Sequence, residues 1–421
     1  MDKILNFVDA HLAEPMAKLS EQRHLRAVRD GIVSTLPIII VGSFFLILAF
    51  PPLPADTFIA KWAAENIVTI LLPYRLTMFI MSLYASFGIG YSLARSYDVD
   101  GLSGGQIAVV AFLMTTTPRV AEGLGWALPM GLLGGGGMFV AIIVSLAAVE
   151  IQRLLLRSKF KISMPEQVPA SVARSFENLT PMAVVVVAMT FISFVFGFDW
   201  HGTVGKIVAP LVSTSDTWLG VMVPVFLITL FWSAGIHGVS VVGAVARPIW
   251  TVMLDANTAA VADGVVGTSL PHIAPEPFYQ WFIWIGGSGA TIGLVILLAV
   301  FAKAKYSKSL GRTALVPGIF NINEPLVFGA PIVLNPILII PFVIAPMVMG
   351  TIAFVATSLG LVNRVSVLAP WTLPGPIGAY IATGGDWRAL VLNVILILVS
   401  IVIYYPFFKI YDNKQLELEN E

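Results

Sequence analysis

The twenty residues from Gly31 to Phe50 carry no charged side chain. That is the length a helix needs to cross the ~30 Å hydrocarbon layer of a bilayer. Comparable apolar runs recur near 77–94, 124–149, 181–198, 218–236, 239–254, 278–301, 332–356 and 387–408, with a weaker Gly- and Thr-rich run at 105–117. Only 11% of the residues are charged, against roughly 25% in soluble domains. The chain is therefore expected to be an all-α integral membrane protein with about ten transmembrane helices.

Basic residues orient these runs. Arg23, His24, Arg26 and Arg29 precede the first, Arg153, Arg157, Lys159 and Lys161 come after the fourth, and Lys303, Lys305, Lys308 and Arg312 come after the eighth. Excess Lys and Arg marks the cytoplasmic side. Both termini are thus expected inside, the C-terminal one on the weaker signal of Lys409 and Lys414. Residues 1–30 place Ile4, Leu5, Val8 and Leu12 at helical spacing and read as an interfacial amphipathic segment, not a cleaved signal peptide. The basic connection before Asn178 closes an N-terminal transmembrane half, 31–178. Residues 179–217 read as a fifth span and an amphipathic connector, 218–408 as a second half, and 409–421 as a cytoplasmic tail.

Other features narrow the function. With 24 basic and 24 acidic residues and no basic domain, nothing points to nucleic acid. The absence of cysteine excludes disulfides, thiolate metal sites and a thiol nucleophile in these residues. The five histidines lack metal-ligand spacing, so neither metal nor cofactor is expected. Gly134 to Gly137 lacks the Lys-Ser/Thr ending of a phosphate loop. It reads instead as a place where helices approach closely, within the chain or across a dimer.

Two stretches do not fit a clean helix. Pro317-Gly-Ile-Phe-Asn-Ile-Asn-Glu-Pro-Leu-Val-Phe-Gly-Ala-Pro331 groups Gly318, Pro325, Gly329 and Pro331 around Asn321, Asn323 and Glu324. Ala369-Pro-Trp-Thr-Leu-Pro-Gly-Pro-Ile-Gly378 runs on through Asp386. Both are expected to be re-entrant hairpins, near 317–331 and 369–386, because irregular backbone at membrane depth survives only where protein or water covers it. Two interrupted segments in one half point to a transport site, and an acid at that depth is a candidate functional group. Glu324 is therefore taken as the centre of a site and is expected to be held away from bulk water. His237, flanked by Gly235-Ile and Gly238, lies at a break between spans; Arg247 comes next and could neutralise a carboxylate. Trp232 and Trp371 complete the set, since aromatic faces with a few fixed polar groups suit a sugar.

At three places the chain resembles a known family. Gln22-Arg-His-Leu-Arg-Ala-Val-Arg-Asp-Gly31, Trp232-Ser-Ala-Gly-Ile-His-Gly238 and Gly318-Ile-Phe-Asn-Ile-Asn-Glu-Pro-Leu-Val-Phe-Gly329 look like the membrane-spanning IIC component of bacterial phosphoenolpyruvate-dependent sugar phosphotransferase systems, in the lactose/cellobiose/diacetylchitobiose branch. The resemblance implies a multi-pass protein of the bacterial cell membrane, surrounded by lipid. It implies a homodimer built through the N-terminal half and a substrate-binding C-terminal half. It also implies that Glu324 and His237 contact the sugar hydroxyl that becomes phosphorylated, with Trp232 and Trp371 lining the pocket. Asn321, Asn323 and Arg247 are counted with the substrate-binding residues.

The substrate expected is a β-linked disaccharide, of diacetylchitobiose or cellobiose type. Because no cysteine is present, the phosphoryl donor is expected on a separate phosphorylated IIB protein, itself charged by IIA. The basic loops at 153–161 and 303–312 are candidate docking sites. One of Glu324 and His237, with Glu324 preferred, would accept the hydroxyl proton, and a carboxylate in a dry hairpin would be a better base near neutrality. The rival reading is a proton-coupled secondary sugar transporter without phosphorylation, with Glu324 as its proton site.

Overall fold

In a computed structural model of the chain, the described residues are 22–51, 56–160, 162, 164–165, 167–233, 235, 237–265, 267–330, 332, 335 and 337–420. The amphipathic spacing at Ile4 to Leu12, and Lys161 and Pro331, lie outside them. Most of the apolar sequence is helical. In chain order come α1 (Arg23–Val33), α2 (Leu36–Ala49), α3 (Phe58–Glu65), α4 (Ile67–Arg75), α5 (Met81–Ser96) and α6 (Gly101–Leu113). Strands β1 (Arg119–Ala121) and β2 (Gly125–Ala127) then pair antiparallel. The helices resume with α7 (Met138–Leu156), α8 (Ala170–Glu177), α9 (Leu179–Met189), α10 (Trp200–Ser215), α11 (Trp218–Ser233) and α12 (Gly238–Ala262). The chain ends with α13 (Glu276–Phe282), α14 (Ile292–Phe301), α15 (Lys305–Ile319), α16 (Glu324–Gly329), α17 (Ile339–Ser358), α18 (Gly375–Ala382) and α19 (Trp387–Asn420).

Among the described residues, six helical segments are long and apolar enough to cross a membrane: Arg23–Ala49, Gly135–Leu156, Val172–Val195, Gly238–Ala262, Ile339–Ser358 and Trp387–Asn420. Counting the bent pairs Ile67–Arg75 with Met78–Ser96 and Trp200–Ser215 with Trp218–Ser233 as one span each gives eight. The shorter apolar helices α6 and α14 fall below that length. The chain divides into two compact units, one of residues 21–42 and 72–212, the other including 43–71 and 213–421.

In the first unit, glycine lets α1, α5 and α6 pack at backbone distance. A Cβ on Gly90 would lie 2.4 Å from the Gly104 carbonyl oxygen, and one on Gly31 would lie 2.5 Å from Ile89. The Glu150 carboxylate on α7 binds His24, Tyr97 and Arg153, which ties α7 to α1 and to the end of α5. The expected span over 124–149 begins later than its apolar run suggests. Gly123 and Gly125 adopt left-handed φ of 76° and 81° and turn the chain into the β1–β2 hairpin, and helix starts only at the Gly135–Gly137 turn. That glycine run serves packing inside the unit: the Gly134 carbonyl accepts from Ser82 Oγ at 2.6 Å.

In the second unit, α19 runs beside α14, α17 and α18. The single span expected over 278–301 is broken here. Gly286, Gly287, Gly289 and Ala290 take φ of 79°, 97°, 86° and 54°, and left-handed residues cannot continue a right-handed helix. The break frees backbone carbonyls, and neighbouring hydroxyls take them up. Thr291 Oγ1 donates to the Gly286 carbonyl at 2.5 Å, Tyr404 OH to Gly289 at 2.8 Å and Ser400 Oγ to Ala290 at 2.6 Å. Tyr404 and Ser400 are fully buried on α19. Tyr404→Phe would strand the Gly289 carbonyl and is expected to lower stability by about 1–3 kcal/mol. Thermal unfolding in detergent reads this, with the exposed Tyr405 changed to Phe as a control expected to match the parent.

Candidate functional site

The second unit contains every side chain that the sequence singles out for the site. Helix α11 ends at Ser233, and Gly235 at φ 82° reverses the chain. His237 then caps the N-terminus of α12. Its Nδ1 accepts the backbone N–H of Ser240 at 3.2 Å and lies 2.9 Å from Ser240 Oγ. Gly238 brings this cap against α11, because a Cβ there would lie 2.1 Å from the Ile228 carbonyl oxygen. The close approach sets the imidazole beside Trp232, with ring centroids 4.6 Å apart and planes tilted by 51°.

The cap decides the state of the imidazole ring. A nitrogen that accepts from a backbone amide carries no proton, so the neutral ring holds its proton on Nε2. His237 is exposed, and among the described residues nothing partners Nε2. It therefore offers one N–H donor. Trp232 is 4% exposed, and its indole N–H also has no hydrogen-bond partner among the described residues. Two ring donors thus sit together unused.

The first hairpin is built on asparagines. After α15, Asn321 adopts φ 62°, a region that asparagine tolerates better than most residues. Its Oδ1 accepts the Gly286 N–H at 2.9 Å, and its Nδ2 donates to the carbonyls of Trp371 at 2.8 Å and Leu373 at 3.0 Å. Asn323 donates through Nδ2 to the Ser288 carbonyl at 2.7 Å. Both amides are buried. They fasten three broken segments together: the 286–290 turn, the 317–330 hairpin and the start of the second hairpin. Trp371, 51% exposed, is held by its own carbonyl on Asn321, which leaves its indole face open.

Glu324 comes next, in the first turn of α16. It is expected from the sequence to be held away from bulk water; the protein by itself does not enclose it, and the side chain is exposed. A six-residue helix packed through Leu326 and Val327 buries its apolar side and leaves its first turn outward. No hydrogen bond or ion pair reaches the carboxylate among the described residues. Arg247 does neutralise an acid, but that acid is Glu276 at the start of α13, at 2.9 Å, with both side chains less than one-fifth exposed. The pair ties α12, which His237 opens, to α13, which leads into the glycine turn.

Three participants escaped the sequence reading. Ser240 is an ordinary helix residue until His237 caps onto it. Glu276 is one acid in a polar loop. The Gly286-Gly-Ser-Gly289 turn did carry a signal, since three glycines in four residues are unusual inside an apolar run, but the run looked long enough to be one helix.

Comparison with known proteins gives the arrangement a family. Residues 29–346 match the family model described as phosphotransferase system, EIIC. The lichenan permease IIC component of Bacillus subtilis (strain 168) is 38% identical over 442 residues, covering 100% of this chain and 96% of its own. The cellobiose-specific EIIC component of Geobacillus stearothermophilus is 38% identical, covering 99% of this chain and 96% of its own. A lactose-specific EIICB component of Staphylococcus aureus is 31% identical over 96% of this chain and 71% of its own. Among solved structures, the transporter ChbC, the IIC component from the N,N'-diacetylchitobiose-specific phosphotransferase system, superposes with a TM-score of 0.91 at 38% identity, over 98% of this chain and 99% of that one. The chain belongs to the EIIC family of the phosphotransferase system, multi-pass membrane sugar permeases that work with IIA and IIB partners.

Proposed function

We propose that this chain takes up a β-linked disaccharide of the cellobiose or diacetylchitobiose type and presents its terminal hydroxymethyl oxygen to a phosphorylated IIB protein. The names of its relatives support the substrate class, since cellobiose and N,N'-diacetylchitobiose share a β-linked pyranose pair. The observation that carries the reading is the His237 cap. With Nδ1 occupied by the Ser240 N–H, the ring can only donate through Nε2. A donor cannot remove the hydroxyl proton, so the acceptor role falls to Glu324.

The step is a displacement at phosphorus. The bond from phosphorus to a cysteine sulfur of IIB breaks and the sulfur leaves as thiolate. The sugar oxygen forms the new bond, and its proton passes to the Glu324 carboxylate. Such transfers depend mainly on positioning and electrostatics. His237 Nε2–H and the Trp232 indole N–H orient the sugar, and the exposed Trp371 face stacks on a ring. Asn321, Asn323 and Arg247 act as positioning residues, because their polar groups are engaged by the protein itself. Bound sugar, not the protein alone, would shield Glu324 from water. These 421 residues contain no cysteine, so the phosphocysteine lies outside them, on IIB. The chain works as a homodimer through its N-terminal transmembrane half, 31–178, in the cell membrane of a bacterium, with ten crossings and both termini cytoplasmic; the basic loops support that orientation.

Two measurements on purified protein test this. Glu324→Gln should lower the phosphorylation rate with phospho-IIB by at least 100-fold, the low end of general-base effects, while disaccharide affinity stays within tenfold. A rate near the parent's would end the base assignment. His237→Phe keeps an aromatic ring beside Trp232 but removes the Nε2–H donor along with the cap, and should weaken disaccharide binding by about 1 kcal/mol, roughly fivefold, in equilibrium binding of labelled cellobiose and diacetylchitobiose.

A further inference from the structure

Helix α15 presents two unlike faces. Ser307, Gly311, Ala314 and Gly318 are buried, and a Cβ on Gly311 would lie 2.3 Å from the Ala299 backbone nitrogen on α14. The other face carries Lys305, Lys308, Ser309, Arg312 and Thr313, at intervals of three and four residues that align on one side of a helix. These five residues line an open recess of about 430 Å³ that contains no acid. Lys308 and Arg312 make no ion pair among the described residues.

The face is also rigidly set. At its N-terminal end, Asp412 on α19 accepts the backbone N–H groups of Lys303 and Ala304, and Glu419 accepts those of Lys305 and Tyr306. Along its length, Tyr306 OH donates to the Gly329 carbonyl at 2.8 Å, and a Cβ on Gly329 would lie 2.4 Å from Leu310 Cδ1. Both contacts fasten α15 to α16, the helix that begins with Glu324. From Lys308 to the end of α15 is roughly 17 Å at 1.5 Å per residue, within one interface patch roughly 30 Å across.

We propose that this basic face of α15 is where phosphorylated IIB docks. The proposal rests on the phosphoryl-transfer function and names the surface which that function requires. A phosphoryl group adds about two negative charges to its carrier, and Lys308 and Arg312, unpaired on the helix packed against α16, would steer and orient such a partner. The other basic stretch is placed differently over its described residues, 153–160. Its Arg153 is already paired with Glu150 at 2.7 Å and stacked 4.6 Å from the Tyr97 ring centre, and it belongs to the unit without Glu324. Transfer needs reacting atoms within about 3–3.5 Å. A dock on the helix that Tyr306 and Leu310 hold against α16 would present its phosphoryl group from a fixed position relative to the Glu324 hairpin.

The test is phosphorylation kinetics of the full chain against the concentration of phospho-IIB. In K308E/R312E, the KM for phospho-IIB should rise at least tenfold, with disaccharide affinity within twofold of the parent. The parent's KM should rise as salt increases from 50 to 300 mM, with a flatter dependence in the variant (roughly one Debye-length effect). R157E/K159E should match the parent. If K308E/R312E does not fold, K308Q/R312Q should show a rise of about threefold. A KM for phospho-IIB within twofold of the parent, a fall confined to kcat, or an equal loss in R157E/K159E would overturn the dock. Failure of the parent to support phosphoryl transfer from phospho-IIB to the disaccharide would instead overturn the proposed function.

Discussion

Backbone polar groups inside an apolar protein must find partners, and that obligation governs how this chain can be broken. Each unsatisfied group costs about 1–3 kcal/mol, and more where lipid replaces water. The turn at 286–290 would free several at once. Instead its groups are met from three directions: Thr291 just after the turn, Asn321 and Asn323 from the first hairpin, and Ser400 and Tyr404 from α19. The same asparagine that accepts the Gly286 N–H also holds the Trp371 carbonyl. Irregular backbone therefore becomes the scaffold of the site, because the bonds that repair one break also anchor the next.

His237 likewise serves two ends at once. The residue both ends a turn and starts a helix, and the capping bond removes one of its two nitrogens from further chemistry. What remains is a donor of fixed direction beside a buried indole. Glycine makes the neighbourhood possible, since any side chain at 238 would collide with the Ile228 carbonyl. The Arg247–Glu276 pair works differently. A largely buried ion pair adds little net stability, but removing one partner leaves an uncompensated charge. Its value here lies in relating the helix that His237 opens to the segment leading into the glycine turn.

Much of the architecture was legible from residues alone. Apolar runs near twenty residues long, such as Gly31 to Phe50, made helices in a bilayer the only stable outcome. Proline and glycine around Asn321 and Glu324 marked that stretch as broken. The family resemblance rested on short patterns that the comparisons bear out. The 278–301 run misled because hydropathy measures polarity and says nothing of φ. Four left-handed residues can interrupt a helix without making its sequence any less apolar.

Which residues could serve was thus set by their chemistry, and the chain order already contained it: a carboxylate, an imidazole, two indoles and two amides around broken backbone. What each one does was decided only by folding. Asn321 and Asn323 became fasteners because backbone groups distant in sequence arrived beside them. Arg247 met Glu276, and His237 gave up Nδ1 to a neighbouring amide. A hydrogen bond commits a polar group to one partner at about 3 Å, and one-dimensional spacing cannot say which partner from another segment will reach that distance first.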